Sequence, residues 1–224
     1  QMSPFLFAIR EGHGDTVRTL TALGADINAA MGDGTTPLDL AVINAHFGLA
    51  DLLLELGADP NLTGPRGAAL HGLAWIRRPG SGRPPLPTGT FDSLDLAQAL
   101  LEAGADPNVR IGWREIPFEV DLGIVKPPPG ISVGRNFLSF VGATPFYLAA
   151  KHGDVELMRL LVEHGANPQI PTGQQITPLM AAAGVGFWDG ESPGPLNGTP
   201  EQMRLEAVQL AIELGNDIHA VTDF

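Results

Sequence analysis

Gly130-Ile131-Ser132-Val133-Gly134 has the Gly-x-Ser-x-Gly spacing that, in a nucleophile elbow, exposes a serine on a sharp turn between a strand and a helix. That chemistry needs both flanking elements, yet Pro127-Pro128-Pro129 stand just ahead in a Pro- and Gly-rich stretch, so no catalytic residue is assigned. Gly184-Val185-Gly186 with Gly190 has the glycine density of a phosphate cradle, but such a cradle follows a strand and opens a helix. Here the glycines follow an apolar helical run and are read as ending it. His46, His152, His164 and His219 show no metal-ligand spacing, and cysteine is absent, which removes disulfides, thiolate catalysis and Cys-bound metals. The expectation is therefore no enzyme, no metal and no cofactor. Arg83-Pro84-Pro85-Leu86-Pro87 satisfies the Pro-x-x-Pro spacing read by polyproline-binding domains, and equally suits a stiff loop packed on its own framework. Trp75, Trp113 and Trp188 pose a similar choice between core filling and exposed anchors.

The elements that would position such groups come from a repeat. Ser3-Pro4-Phe5, Thr36-Pro37-Leu38, Thr144-Pro145-Phe146 and Thr177-Pro178-Leu179 recur, with spacings of 33 residues between the first two prolines and between the last two. A second marker follows each: Gly24-Ala25-Asp26, Gly57-Ala58-Asp59, Gly104-Ala105-Asp106, Gly165-Ala166-Asn167 and Gly215-Asn216-Asp217. Between the markers each unit has room for two helices. Pro suits a first helical turn because its missing N–H would be unpaired there, and the Ser or Thr before it caps. Runs such as Leu40-Ala41-Val42 and Leu148-Ala149-Ala150 give a short inner helix, with Gly12, Gly48 and Gly153 expected near its end. Leu49, Leu52, Leu53 and Leu56, or Leu157, Met158, Leu160 and Leu161, repeat at helical spacing in an outer helix that a left-handed glycine then stops. Asp33-Gly34 and Thr172-Gly173 mark the hairpin leading to the next unit. The third unit opens with the degenerate Ala68-Ala69-Leu70-His71.

These residues resemble the ankyrin repeat, in a protein of a bacterial type. The resemblance implies an all-α ankyrin-repeat solenoid of helix pairs joined by short β-hairpins, with His71 at the family's Thr-Pro-Leu-His position and His13 at its Gly-His position. One domain over residues 1–224 is expected, with repeats at about 1–28, 29–61, 62–108, 143–168 and 169–219. Thr16, Thr19 and Thr21 stand where later outer helices carry leucine, which reads as a polar N-terminal cap. The opening Gln1-Met2 and the hairpin arm begun by Ala220–Phe224 suggest a processed form or part of a longer protein.

Insertions over 77–91, 109–142 and 187–200 interrupt the repeats and contain eleven of the 20 prolines. Their charges are +3, +1 and -2, which leaves -14 of the net -12 on the repeat framework. Loops this long are functional or disordered. The balance of 13 Lys and Arg against 25 Asp and Glu argues against nucleic acid as a partner. No apolar run is long enough to cross a membrane as a helix, so a soluble chain is expected, cytoplasmic or, if a signal peptide has been removed, extracytoplasmic.

What the resemblance implies for function is a protein-binding module or scaffold, the partner held on a concave face of hairpin tips and inner helices. Carried over position by position, the candidates are Ala30, Met31, Asp33 and Thr35 in one hairpin and Gln169, Ile170, Gln174 and Ile176 in another. On inner helices they are Asp39, Ile43, Asn44, Tyr147, Lys151 and His152. The 109–142 insertion interrupts the hairpin row and would cover or extend that face. Arg77, Arg78 and Arg83 join the candidates as an arginine cluster, with pairing to the acidic framework as the other reading. Two other function classes stay open, a filament-like subunit that self-associates end to end and a regulatory segment of a larger enzyme.

Overall fold

The computed structural model describes residues 2–64, 66–77, 89–112, 140–185 and 200–222. Among them are ten helices: α1 (Pro4–Arg10), α2 (Gly14–Ala22), α3 (Pro37–Ile43), α4 (Phe47–Glu55), α5 (Ala69–Ile76), α6 (Ser93–Glu102), α7 (Pro145–His152), α8 (Val155–Glu163), α9 (Pro178–Ala182) and α10 (Pro200–Glu213). They form five consecutive pairs, and no strand longer than an isolated bridge is present among the described residues.

Local chemistry explains where the helices begin and end. Ser3, Thr36, Thr144 and Thr177 each accept a backbone N–H through the side-chain oxygen, and proline follows as the first helical residue. Ala68 lacks that oxygen, and there the bond runs the other way, the buried His71 imidazole accepting the N–H of Ala68 itself through Nδ1 at 3.1 Å. Outer helices end on Gly24, Gly57, Gly104, Gly165 and Gly215, all at φ between 89° and 96°, a conformation costly for any residue with a Cβ. One expected position needs correction: Gly48 lies inside α4, and Ala45, at φ 55°, takes the left-handed turn between α3 and α4. Its methyl is fully buried, which offsets the backbone cost.

The helices gather into two compact units, one of the residues up to Ile76 with 89–106, the other of Arg77 and the residues from Pro107 onward. In the first, α1 packs on α2 and α3, α3 on α4 and α5, and α6 on α4 and α5. Ile9, Val17, Leu53, Leu70, Leu73, Leu96 and Leu100 fill its core. In the second, α7 packs on α8 and α9, and α10 on α7, α8 and α9, around Phe146, Leu148, Leu157, Met158 and Leu161. Burying each such side chain stabilises by roughly 1.5 to 3 kcal/mol. On α2 the Thr19 and Thr21 hydroxyls turn back to the carbonyls of Asp15 and Val17, so the threonines satisfy themselves where α4 has the buried Leu52 and the half-buried Leu54.

Candidate partner-binding site

The turns between helix pairs are closed by their own backbone. Met31 N–H donates to Thr35 C=O at 2.8 Å and Gly34 N–H to Met31 C=O at 2.9 Å. In the second unit Thr172 and Ile176 make the same closure at 3.0 Å, with Gln175 N–H donating to Thr172 C=O. Ile111 N–H donates to Ala143 C=O at 3.0 Å and Gly142 N–H to Ile111 C=O at 2.7 Å, the same pattern again. The turn is therefore closed at the root of the long insertion expected over 109–142. Arg110 reinforces that root by donating to Gly142 C=O at 3.0 Å and Pro171 C=O at 2.7 Å.

A set of side chains that the sequence reading passed over joins successive repeats. Asn28 Oδ1 accepts the Asp59 N–H, and Asn61 accepts from Asp106 N–H at 2.7 Å while donating to Gly104 C=O at 2.9 Å. In the second unit Asn108 accepts from Asn167 N–H and donates to Gly165 C=O, and Gln169 donates to Gly215 C=O at 3.1 Å. These amides stand four residues after the glycines of the second repeat marker. That spacing was the signal that could have found them.

Between this frame and the closing bonds, exposed side chains differ from turn to turn: Ala30, Thr63 and Arg110 occupy corresponding places beside Asn28, Asn61 and Asn108. Ala30, Asp33 and Gln169 are exposed, and Met31, Ile43, Asn44, Ile170 and Gln174 half-buried. Asp33 caps its own turn, its carboxylate accepting the Thr35 N–H at 2.9 Å, and that bond holds its pKa below the ordinary value.

The remaining candidates face inward. Thr35, Asp39, Tyr147, Lys151, His152 and Ile176 are buried. Burial without an ion pair pushes the Asp39 carboxyl up to about 7, and burial likewise raises the Tyr147 phenol. The Lys151 ammonium lies 5.9 Å from the centre of the Phe140 ring. Arg77 pairs with the framework: its Nε sits 2.5 Å from Asp154 Oδ2 and its second guanidinium nitrogen 2.9 Å from Oδ1, with Glu156 at 3.4 Å. With side-chain exposures of 7% and 2%, the Arg77–Asp154 pair is inaccessible to a partner. Asp154 also caps α8 by accepting the Leu157 N–H. Trp75 is half-buried. Arg78, Arg83, Trp113, Ser132 and Trp188 lie outside the described residues. Among the described residues no three His, Asp or Glu side chains converge to hold a metal, and no helix is long and apolar enough to cross a membrane. Gly184, at φ 106°, follows the Ala183 that caps the end of α9, as a helix terminator does.

Comparison with known proteins agrees with this geometry. Residues 1–64 match the family model of ankyrin repeats in three copies, and residues 141–173 match that of the single ankyrin repeat. The chain is 28% identical over 194 residues to a protein of Escherichia coli (strain K12) named as an ankyrin repeat protein, YahD, covering 82% of this chain and 90% of that one. It is 40% identical over 60 residues to the ankyrin repeat and LEM domain-containing protein 1 homolog of Caenorhabditis elegans, covering 27% of this chain and 8% of that protein.

Proposed function

We propose that this chain, an ankyrin-repeat protein, is a protein-protein interaction module whose partner contacts the exposed side chains of the turns and the half-buried ones of the inner helices. Ankyrin repeats are in general modules for binding other proteins and not enzymes. The observation that carries the reading here is the division of labour within each turn. Backbone closures, Asn or Gln amides and the Arg110 guanidinium hold the frame, while Ala30 and Thr63 differ in size and polarity at corresponding exposed places. A constant frame with variable exposed positions is what recognition requires and what stability alone does not.

Ala30, Met31, Asp33, Gln169, Ile170 and Gln174, with Ile43 and Asn44, are the contact residues of this proposal. Arg78 and Arg83 belong to it through the charge of the first insertion. Residues 1–224 acting as one repeat domain is part of the same proposal, and a single thermal transition is its check. Replacing Ala30 and Gln174 by arginine tests the surface. Ala30 is exposed and Gln174 half-buried in a turn, so the helical content read by far-UV circular dichroism stays that of the parent while partner capture falls at least tenfold, about 1.4 kcal/mol. Undiminished capture by the doubly substituted protein refutes this surface.

A second reading, self-association, rests on Leu205, Ile212, Ile218 and Val221, which are 44% to 80% exposed in the second unit. Light scattering that grows with concentration would favour it over the first.

A further inference from the structure

We propose that Asp39 is a proton-controlled joint between two neighbouring turns of the first unit, the one closed by Met31 and Thr35 and the one closed by Gly64 and Gly67. The buried Asp39 side chain of α3 reaches across to the second of these turns. A Cβ placed on Gly64 would stand 2.7 Å from Asp39 Oδ2, 3.1 Å from the Gly34 carbonyl oxygen and 3.4 Å from Thr35 Cα. The Gly64 backbone therefore sits against the carboxyl group and the preceding turn at once. Gly64 and Gly67 close their turn by donating to each other's carbonyls at 2.9 and 3.0 Å.

The joint is tightest with a neutral carboxyl. Few charges around it oppose that. Arg10 of α1 is engaged by Glu11, Asp51 and Glu55 belong to the outer helix α4 with Glu55 reaching Arg18, and His71 of α5 is bonded to the Ala68 N–H. Asp33 caps the first turn, and Arg66, in the second, is the cation whose field reaches Asp39. Desolvation outweighs that attraction and the bonds from Thr36, and the group titrates at about 7 against an ordinary 3.8. The sign follows: a carboxyl held neutral by the fold stabilises fully below its ordinary value, and the contribution is lost as pH rises through about 7. Turns that present side chains to a partner would then loosen just above neutrality.

The test is a carbon-13 titration of the Asp39 carboxyl by nuclear magnetic resonance on the intact chain, followed together with the Gly64, Gly67 and Gly173 amides. The expected result is an Asp39 inflection near pH 7, shared by Gly64 and Gly67 and absent from Gly173 in the second unit. An inflection near the ordinary carboxylate value, or equal movement of Gly173, overturns the proposal. As a second measure, the urea midpoint of the parent falls between about pH 5 and about pH 8, and that of Asp39→Asn falls by less than half as much. Superimposable pH profiles overturn the proposal equally, and the parent titration stands even if the variant folds poorly.

Discussion

Replacing Arg77 by methionine asks whether this arginine serves recognition or the framework. Asp154 is 2% exposed and accepts both Arg77 bonds, at 2.5 and 2.9 Å, so removing the guanidinium leaves a buried carboxylate uncompensated. Breaking one side of such a pair costs about 3 to 5 kcal/mol. The Glu156 contact adds little, since that side chain is 55% exposed at 3.4 Å and such pairs contribute roughly 0 to 1 kcal/mol. Asp154→Asn strands the arginine instead, while its amide oxygen still caps α8 at Leu157. In the double variant neither charge is stranded, so its loss is smaller than the sum of the two single losses by about 2 kcal/mol or more. Urea unfolding followed by circular dichroism on the four proteins gives the cycle. A single-variant loss below about 1 kcal/mol, or strict additivity, refutes the reasoning and returns Arg77 to the recognition surface.

Asn61→Ala removes the bonds to Gly104 C=O and Asp106 N–H at an exposed position where water replaces part of them, so stability falls by about 1 to 2 kcal/mol; unchanged urea unfolding would show that the amide does not join the repeats. Tyr147→Phe removes a buried hydroxyl that has no hydrogen-bond partner among the described residues, and the melting temperature stays level or rises, by up to roughly 1 kcal/mol in stability. A clear fall would reveal a partner for that hydroxyl.

Helix starts and stops were legible in the sequence because they depend on neighbours a few residues away: Thr36 with Asp39 N–H, Thr144 with Tyr147 N–H, Gly57 and Gly165 in the left-handed region. What crosses from one repeat to another was not. Two local departures were not legible either: at the degenerate start the His71 imidazole takes the N–H of Ala68, and Ala45 took the turn assigned to Gly48 because its buried methyl compensates the strained backbone. Arg77 and Asp154 are 77 residues apart, and no local pattern pairs them. The exposure of Ala30, Asp33 and Gln169 was legible from hairpin position alone. Burial of Asp39, Tyr147 and Lys151 was not, since it depends on what packs over an inner helix and leaves no mark on that helix's own sequence.

The most direct measurement of the central claim is site-specific photo-crosslinking in lysate of the source organism. A photoreactive residue is placed in turn at Ala30 and Gln174 in the turns, and at Glu55 and Glu102 on the outer helices, where side chains are exposed but belong to the frame. The account predicts the same crosslinked protein from both turn positions and none from the outer helices. Crosslinks confined to Glu55 and Glu102, or equal from all four positions, would contradict it.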